Sequence, residues 1–150
     1  MSHYFGIKAK VMVREEFKDI IDDIRDFSYF RNSGQIDDPI LALLKEWYDV
    51  DNYIGCFNEK YWKYYRDTGI WEFEYYYNDR YYRSANIICE CLLPYLIKEV
   101  ISETDWDDWE GSLERCSLKV SLLEKREELV QDIINEIDER MEELKAGWGY

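Results

Sequence analysis

From Tyr4 to Val13 apolar and polar positions alternate, with Phe5, Ile7, Ala9, Val11 and Val13 on one side and Tyr4, Lys8, Lys10 and Met12 on the other. A period of two predicts a half-buried strand. From Arg14 the period lengthens, so that Phe17, Ile20, Ile21, Ile24 and Phe27 fall on one helical stripe while Glu15, Glu16, Asp19, Asp22, Asp23 and Asp26 take the remaining positions. An amphipathic helix is therefore expected directly after the strand. Asn32-Ser33-Gly34 marks a loop, and Asp37-Asp38-Pro39 supplies an N-cap carboxylate with proline at the first helical position. The second helix should run to about Asp49. Its apolar residues Ile40, Leu41, Leu43, Leu44 and Trp47 cover more than one face, which implies burial between other elements. Asp51-Asn52 closes it, and Tyr53-Ile54-Gly55-Cys56-Phe57 reads as a short strand or edge segment.

Aromatic residues then crowd residues 61–82, YWKYYRDTGIWEFEYYYNDRYY, around one turn signal, Asp67-Thr68-Gly69. The pattern predicts a β-hairpin in which Gly69 takes a positive φ. Setting Trp71 opposite Arg66 leaves a loop of about four residues and places Trp62 across from Tyr75, Tyr64 from Phe73 and Lys63 from Glu74. One face becomes aromatic and the other carries charge and tyrosine. A slip of one residue would put Lys63 beside Phe73, so burial of one face selects against it.

Asn78-Asp79-Arg80 makes the next turn, and residues 84–102 read as a helix that is apolar nearly all round, from Ile87 through Leu92, Leu93 and Leu96 to Ile101. It is expected to be the central core helix, kinked at Pro94, or two shorter helices meeting there. Residues 103–114 carry Glu103, Asp105, Asp107, Asp108, Glu110 and Glu114 with Trp106 and Trp109 among them, and are expected to form an ordered acidic loop. The last element, from about residue 117 to Lys145, sets Leu123, Val130, Ile137 and Leu144 seven apart, with Ile133, Ile134 and Met141 between them. This predicts a helix of roughly 40 Å at 1.5 Å per residue, ended by Gly147. Packing across the sheet of the same chain and a two-chain coiled coil, hence a homodimer through this helix, both satisfy the stripe. The order β-α-α-(β)-β-β-α-α defines one α+β domain over residues 1–150. A small, mostly antiparallel sheet, made of the N-terminal strand and the aromatic hairpin, packs against four helices, the last of them long.

Composition adds one outlying number. The 150 residues hold 19 Lys and Arg against 33 Asp and Glu, a net charge of −14. With 47 % hydrophobic and 17 % aromatic residues the chain is too apolar to be a disordered acidic tail. Its charge would repel a phosphate backbone, which excludes direct nucleic-acid binding and favours a basic protein surface as partner. The bland counterpart is acidity that only keeps the protein soluble. Cys56, Cys89, Cys91 and Cys116 form no CxxC pair and His3 is the only histidine, so no zinc site is expected. No charged segment followed by an apolar run opens the chain, and no run approaches a membrane span. The expectation is a cytoplasmic protein with free, mostly buried thiols and no membrane partner.

Candidate chemistry is sparse. A nucleophile needs a base, and His3 sits almost at the terminus. The isolated glycines open no phosphate-binding loop, so no catalytic residue and no cofactor is expected. Asp105, Asp107, Asp108 and Glu110 hold several hard oxygens but lack the spacing of a calcium loop, which favours a solvated segment over a metal site. Tyr76, Tyr81 and Tyr82 have the rings to stack on a nucleotide or another small ligand. The combination above background is Asp105-Trp106-Asp107-Asp108-Trp109-Glu110, where tryptophan anchors are interleaved with steering acids as at protein interfaces. The reading is thus a non-enzymatic acidic protein that blocks the basic surface of a nucleic-acid-binding enzyme, in the class of DNA mimics and virus-encoded anti-defence or anti-CRISPR inhibitors. A ligand-binding domain using the tyrosine-rich sheet is the alternative, and a carboxylate-metal enzyme the third.

Overall fold

The structure, a computed structural model, describes residues 4–50, 55–78, 88–107 and 126–146. Strand β1 (Tyr4–Val13) forms as its alternation predicts, with Phe5, Ile7, Ala9, Val11 and Val13 all buried. β2 (Cys56–Tyr65) and β3 (Ile70–Asn78) make the hairpin, and β4 (Ile97–Asp107) is a fourth strand. The sheet order is β2-β3-β1-β4, with every neighbouring pair antiparallel. Strand, helices, two strands, helical turn and strand in that neighbour order make a split β-α-β topology. The fold is α+β, as expected.

The first predicted helix is broken. A 3-10 turn (Glu15–Phe17), α1 (Ile21–Ile24) and α2 (Ser28–Asn32) replace it, and Phe27 between the two α-helices is left-handed at φ 60°. That conformation costs a side-chain-bearing residue about 1–2 kcal/mol. Ring contacts with Phe57 at 5.6 Å and Tyr48 at 6.4 Å offset it. The turn brings Phe17, Ile21, Ile24, Phe27 and Phe30 inward together, so the apolar stripe is correct although the helix is not continuous. α3 (Pro39–Val50) starts where predicted, because Asp38 Oδ1 accepts the backbone N–H of Ile40 at 2.9 Å and of Leu41 at 3.0 Å. Its other oxygen accepts the Tyr95 hydroxyl at 2.8 Å, tying the cap to the core.

In the hairpin, Tyr65 pairs with Ile70, Tyr64 with Trp71, Lys63 with Glu72 and Trp62 with Phe73. Each partner is two residues from the predicted one, and an even shift keeps the faces: Trp71, Phe73, Tyr75 and Tyr77 all point inward. Gly69 takes φ 78° as predicted. The Tyr64 hydroxyl donates to Lys18 O at 2.6 Å, fixing the hairpin to the first turn of the helical layer.

The expected core helix over residues 84–102 is corrected. A π-helical turn (Ile88–Leu92) and α4 (Leu93–Leu96) are buried as predicted, but the chain becomes β4 at Ile97. Pro94 lies in the first turn of α4, directly after the π-helical turn, so two short helical segments meet beside it, as in the alternative of two shorter helices. Beyond it the β-branched Ile97, Val100, Ile101 and Thr104 satisfy the free edge of β1, whose backbone would otherwise lack partners on that side. The acidic loop is corrected with it, since residues 103–107 belong to β4; residues 108–114 lie outside the described ones. Ile101 has no partner opposite, because Lys10 pairs with Ser102 and Val11 with Val100, and at this bulge it is 45 % exposed.

The C-terminal helix α5 is described over Arg126–Lys145, twenty residues or about 30 Å, so the long helix of roughly 40 Å is not supported. Residues 117–125 and the side chains of Val130, Ile133 and Leu144 lie outside the described ones. α5 packs on α3, and Ile137 is fully buried within the one chain, with Met141 beside it in the core. Ile137→Ala should therefore lower unfolding free energy by about 2–5 kcal/mol, read as a shifted urea midpoint. Ile137→Asp should leave no folded state at 37 °C by circular dichroism, whereas unchanged stability would show the stripe to be solvent-facing.

Candidate binding cleft at the bulged end of β2

Phe57 pairs with Tyr75 and Trp62 with Phe73, so five steps along β2 match two along β3. The surplus residues loop outward against Glu74 alone. Asn58 holds this bulge from both ends: its Nδ2 donates to Glu74 Oε1 at 2.7 Å and its Oδ1 accepts the Lys60 N–H at 2.9 Å. Gly55 precedes it at φ 83°, where a Cβ would stand 2.6 Å from the Tyr75 hydroxyl and 2.7 Å from Tyr76 O. Only glycine lets the backbone pass this close to β3.

Between the bulge and the end of α1 lies an open cleft of about 1370 Å³. α1 and its C-terminal flank supply Asp22, Arg25 and Asp26; the bulge supplies Asn58, Glu59 and Lys60; β1 and β3 supply Tyr4, Glu74 and Tyr76. Four carboxylates thus meet two cations. Arg25 is already committed, donating to Glu59 O at 3.3 Å with its guanidinium 5.7 Å from the Trp62 ring. Asp26 accepts the Ser28 N–H at 3.0 Å, which holds its carboxyl below the ordinary value, helped by Arg31 at 3.6 Å. Tyr4 and Tyr76 stand with centroids 6.5 Å apart, tilted by 58°. Burial, then the neighbouring Cys56, Tyr4 and Glu74, raise the Tyr76 phenol, so it stays neutral through physiological pH.

The charge is unevenly spread. Glu15, Glu16, Asp19, Asp22, Asp23 and Asp26 are all exposed along the 3-10 turn and α1. Lys18 pairs with Glu15 at 2.8 Å, and Arg66 from the hairpin loop pairs with Asp19. Asp22 and Asp23 have no ion pair among the described residues. The open sheet face is balanced instead, with Lys8, Lys10 and Lys63 interleaved with Glu72 and Glu74, and Lys8 Nζ 4.2 Å above the Tyr61 ring.

Of the residues singled out by sequence, Tyr76 is half-buried and lines the cleft, while Tyr81 and Tyr82 lie outside the described residues. Asp105, Trp106 and Asp107 pair with Ile7, Gly6 and Phe5 on the edge strand β4, and Gly6 is also the partner of Tyr76, so Trp106 and Tyr76 stand in one row two strand spacings apart, about 10 Å. Asp105 shares the core-side face with Ile7, is half-buried, and has one carboxylate oxygen enclosed without a partner. Asp108, Trp109 and Glu110 lie outside the described residues. Gly55, Asn58, Arg25 and Tyr4 were not singled out. The signal for the first two is a glycine and an asparagine three apart, just before the aromatic run.

Of the described cysteines, Cys89 and Cys91 are buried and Cys56 is exposed, and none of the three forms a disulfide. Among the described residues no three His, Cys, Asp or Glu side chains gather as metal ligands, and no helix is long and apolar enough to cross a membrane. No protein-family model, curated protein or solved structure matches the chain.

The depressed Asp26 carboxyl carries a pH prediction. A group whose folded pKa lies below its ordinary value contributes stability in full above that ordinary value and loses it as pH falls through the folded one. Asp26→Asn should thus be less stable than the parent at pH 7, and the gap should close below about pH 4. Urea midpoints across that range measure it, and a gap independent of pH would assign the loss to packing.

Proposed function

We propose that this is a non-enzymatic, cytoplasmic acidic protein that occupies the basic surface of a nucleic-acid-handling protein and blocks it, in the manner of a DNA mimic or an anti-defence inhibitor. The observation that supports this reading is the run of exposed carboxylates along the 3-10 turn and α1, two of which, Asp22 and Asp23, are not neutralised within the described chain. Glu15, Asp19 and Asp26 in this run carry ion pairs to Lys18, Arg66 and Arg31, so Asp22 and Asp23 are the charges it presents without one among the described residues. A groove lined with Lys and Arg for a phosphate backbone meets the same pattern of charge. Steering by such a ridge raises the association rate and suppresses partners of like sign.

Residues 105–110 remain a second surface for the same partner class, of which the described part, 105–107, lies on the edge strand β4. Asp105 is poorly disposed for steering because it turns toward the core. A nucleotide in the tyrosine-lined cleft has less support, since the four carboxylates there would repel its phosphates.

The test begins with capture of the partner from the native host and proceeds to binding kinetics. The association rate should fall steeply as salt rises toward 0.5 M, because screening shortens the reach of exposed charges to a few ångströms. Replacing Asp19 and Asp23, which lie outside the cleft, together by Asn should slow association several-fold with little change in dissociation. Replacing Asp107 and Asp108 by Asn tests the second surface. If neither pair alters the rate at low salt, acidity serves solubility alone.

A further inference from the structure

We propose that the cleft beside the β2 bulge receives an arginine side chain of a protein partner, which rests on the reading that the partner is basic and assigns its anchor point. Four observations converge. The cleft is large enough for a side chain, at about 1370 Å³, and its carboxylates outnumber its cations by four to two. Arg25 is a poor competitor because it is spent on Glu59 O and Trp62; Lys8, the cross-strand neighbour of Glu74, holds its Nζ over the Tyr61 ring, and Lys60 is exposed. Two carboxylates have unfilled capacity: Glu74 uses Oε1 on Asn58, with Oε2 unbonded, and Asp22 has no partner among the described residues. Finally, Tyr4 and Tyr76 stand in the cleft lining as a tilted pair, Tyr4 42 % exposed and Tyr76 half-buried.

A guanidinium matches this set. It is planar, so it stacks on a tyrosine face, and its forked N–H groups reach a carboxylate at the same time. An ammonium is a strongly hydrated point charge and gains less from the ring. The site is also held in place before any ligand arrives, since Asn58 fixes Glu74 and the bulge, and Gly55 seats the backbone against Tyr75.

The test uses the full chain and the peptide Gly-Arg-Gly-Arg-Gly, with its Lys and Gln counterparts, by nuclear magnetic resonance titration and calorimetry. The Arg peptide should shift the signals of Tyr4 and Tyr76 and bind more tightly than the Lys peptide, while the Gln peptide should not bind. Tyr4→Leu and Glu74→Gln should each weaken the Arg peptide about tenfold. Neither is expected to unfold the chain, since Tyr4 is exposed and Gln keeps the acceptor for Asn58. Asp23→Asn is the control, because Asp23 lies outside the cleft. Loss of Arg-peptide binding in Asp23→Asn but not in Glu74→Gln or Tyr4→Leu overturns the cleft while sparing the basic-surface reading. Loss in the cleft variants, beside a captured partner whose association ignores salt and the ridge variants, keeps the cleft and sinks that reading. Equal affinity for the Arg and Lys peptides, or binding of the Gln peptide, overturns the assignment to guanidinium.

Discussion

The Phe57 ring lies within 6.0 Å, centroid to centroid, of Phe27, Trp62, Trp71, Phe73 and Tyr75, and this contact set constrains the rest of the structure. Phe57 and Trp62 are five residues apart, so strict alternation would send them to opposite faces of β2. Both must face inward to join the rings of β3. Looping the intervening residues out restores the parity, and the ring contacts are worth more than the ladder hydrogen bonds forgone there. From the other side the cluster draws in Phe27, which accepts a left-handed backbone to reach it. The broken first helix, the bulge and the cleft are therefore three results of one demand for aromatic contact.

How much of this was legible in the sequence depended on whether a feature was local. The buried face of β1, the Asp38 cap and the Gly69 turn each follow from a few neighbouring residues, and each stands as read. The hairpin was set two residues off because loop length alone chose its register, although the inward set survived. The odd spacing of Phe57 and Trp62 was visible and announces the bulge, but only once both rings are known to be buried. β4 was illegible for a different reason. An all-apolar run has no period to separate helix from strand, and what decides the matter is the unpaired edge of β1, some ninety positions earlier. At the candidate site Tyr76 was found by its chemistry. Asp105 was read as a surface acid because a strand that turns a carboxylate inward contradicts the pattern by which strands are recognised.

Charge and shape divide the molecule in two. The helical layer presents most of the uncompensated carboxylates described, whereas the open side of the sheet alternates lysine with glutamate across neighbouring strands, an arrangement that stabilises the sheet by cross-strand attraction. A field from the first surface extends outward; one from the second largely cancels within a few ångströms. The cleft sits where the two meet, which gives it a supply of negative potential from α1 and a set of rings from the sheet. An approaching cation would be drawn along the ridge before it met a tyrosine.

The irregularities of the two outer strands act beyond the chain itself. β2 carries its bulge at residues 58–61, and β4 is thrown out of step with β1 at two places and turns Glu103 and Asp105 toward the core side. A strand from another molecule that tried to extend the sheet would meet no even row of N–H and C=O groups on β2, and on β4 it would have to bring its own apolar face over carboxylates. A protein this rich in tyrosine and tryptophan would otherwise be well suited to stack into fibrils. The contortion that gathers the aromatic rings on the inside also makes the outer strands of the described sheet poor templates for a further strand.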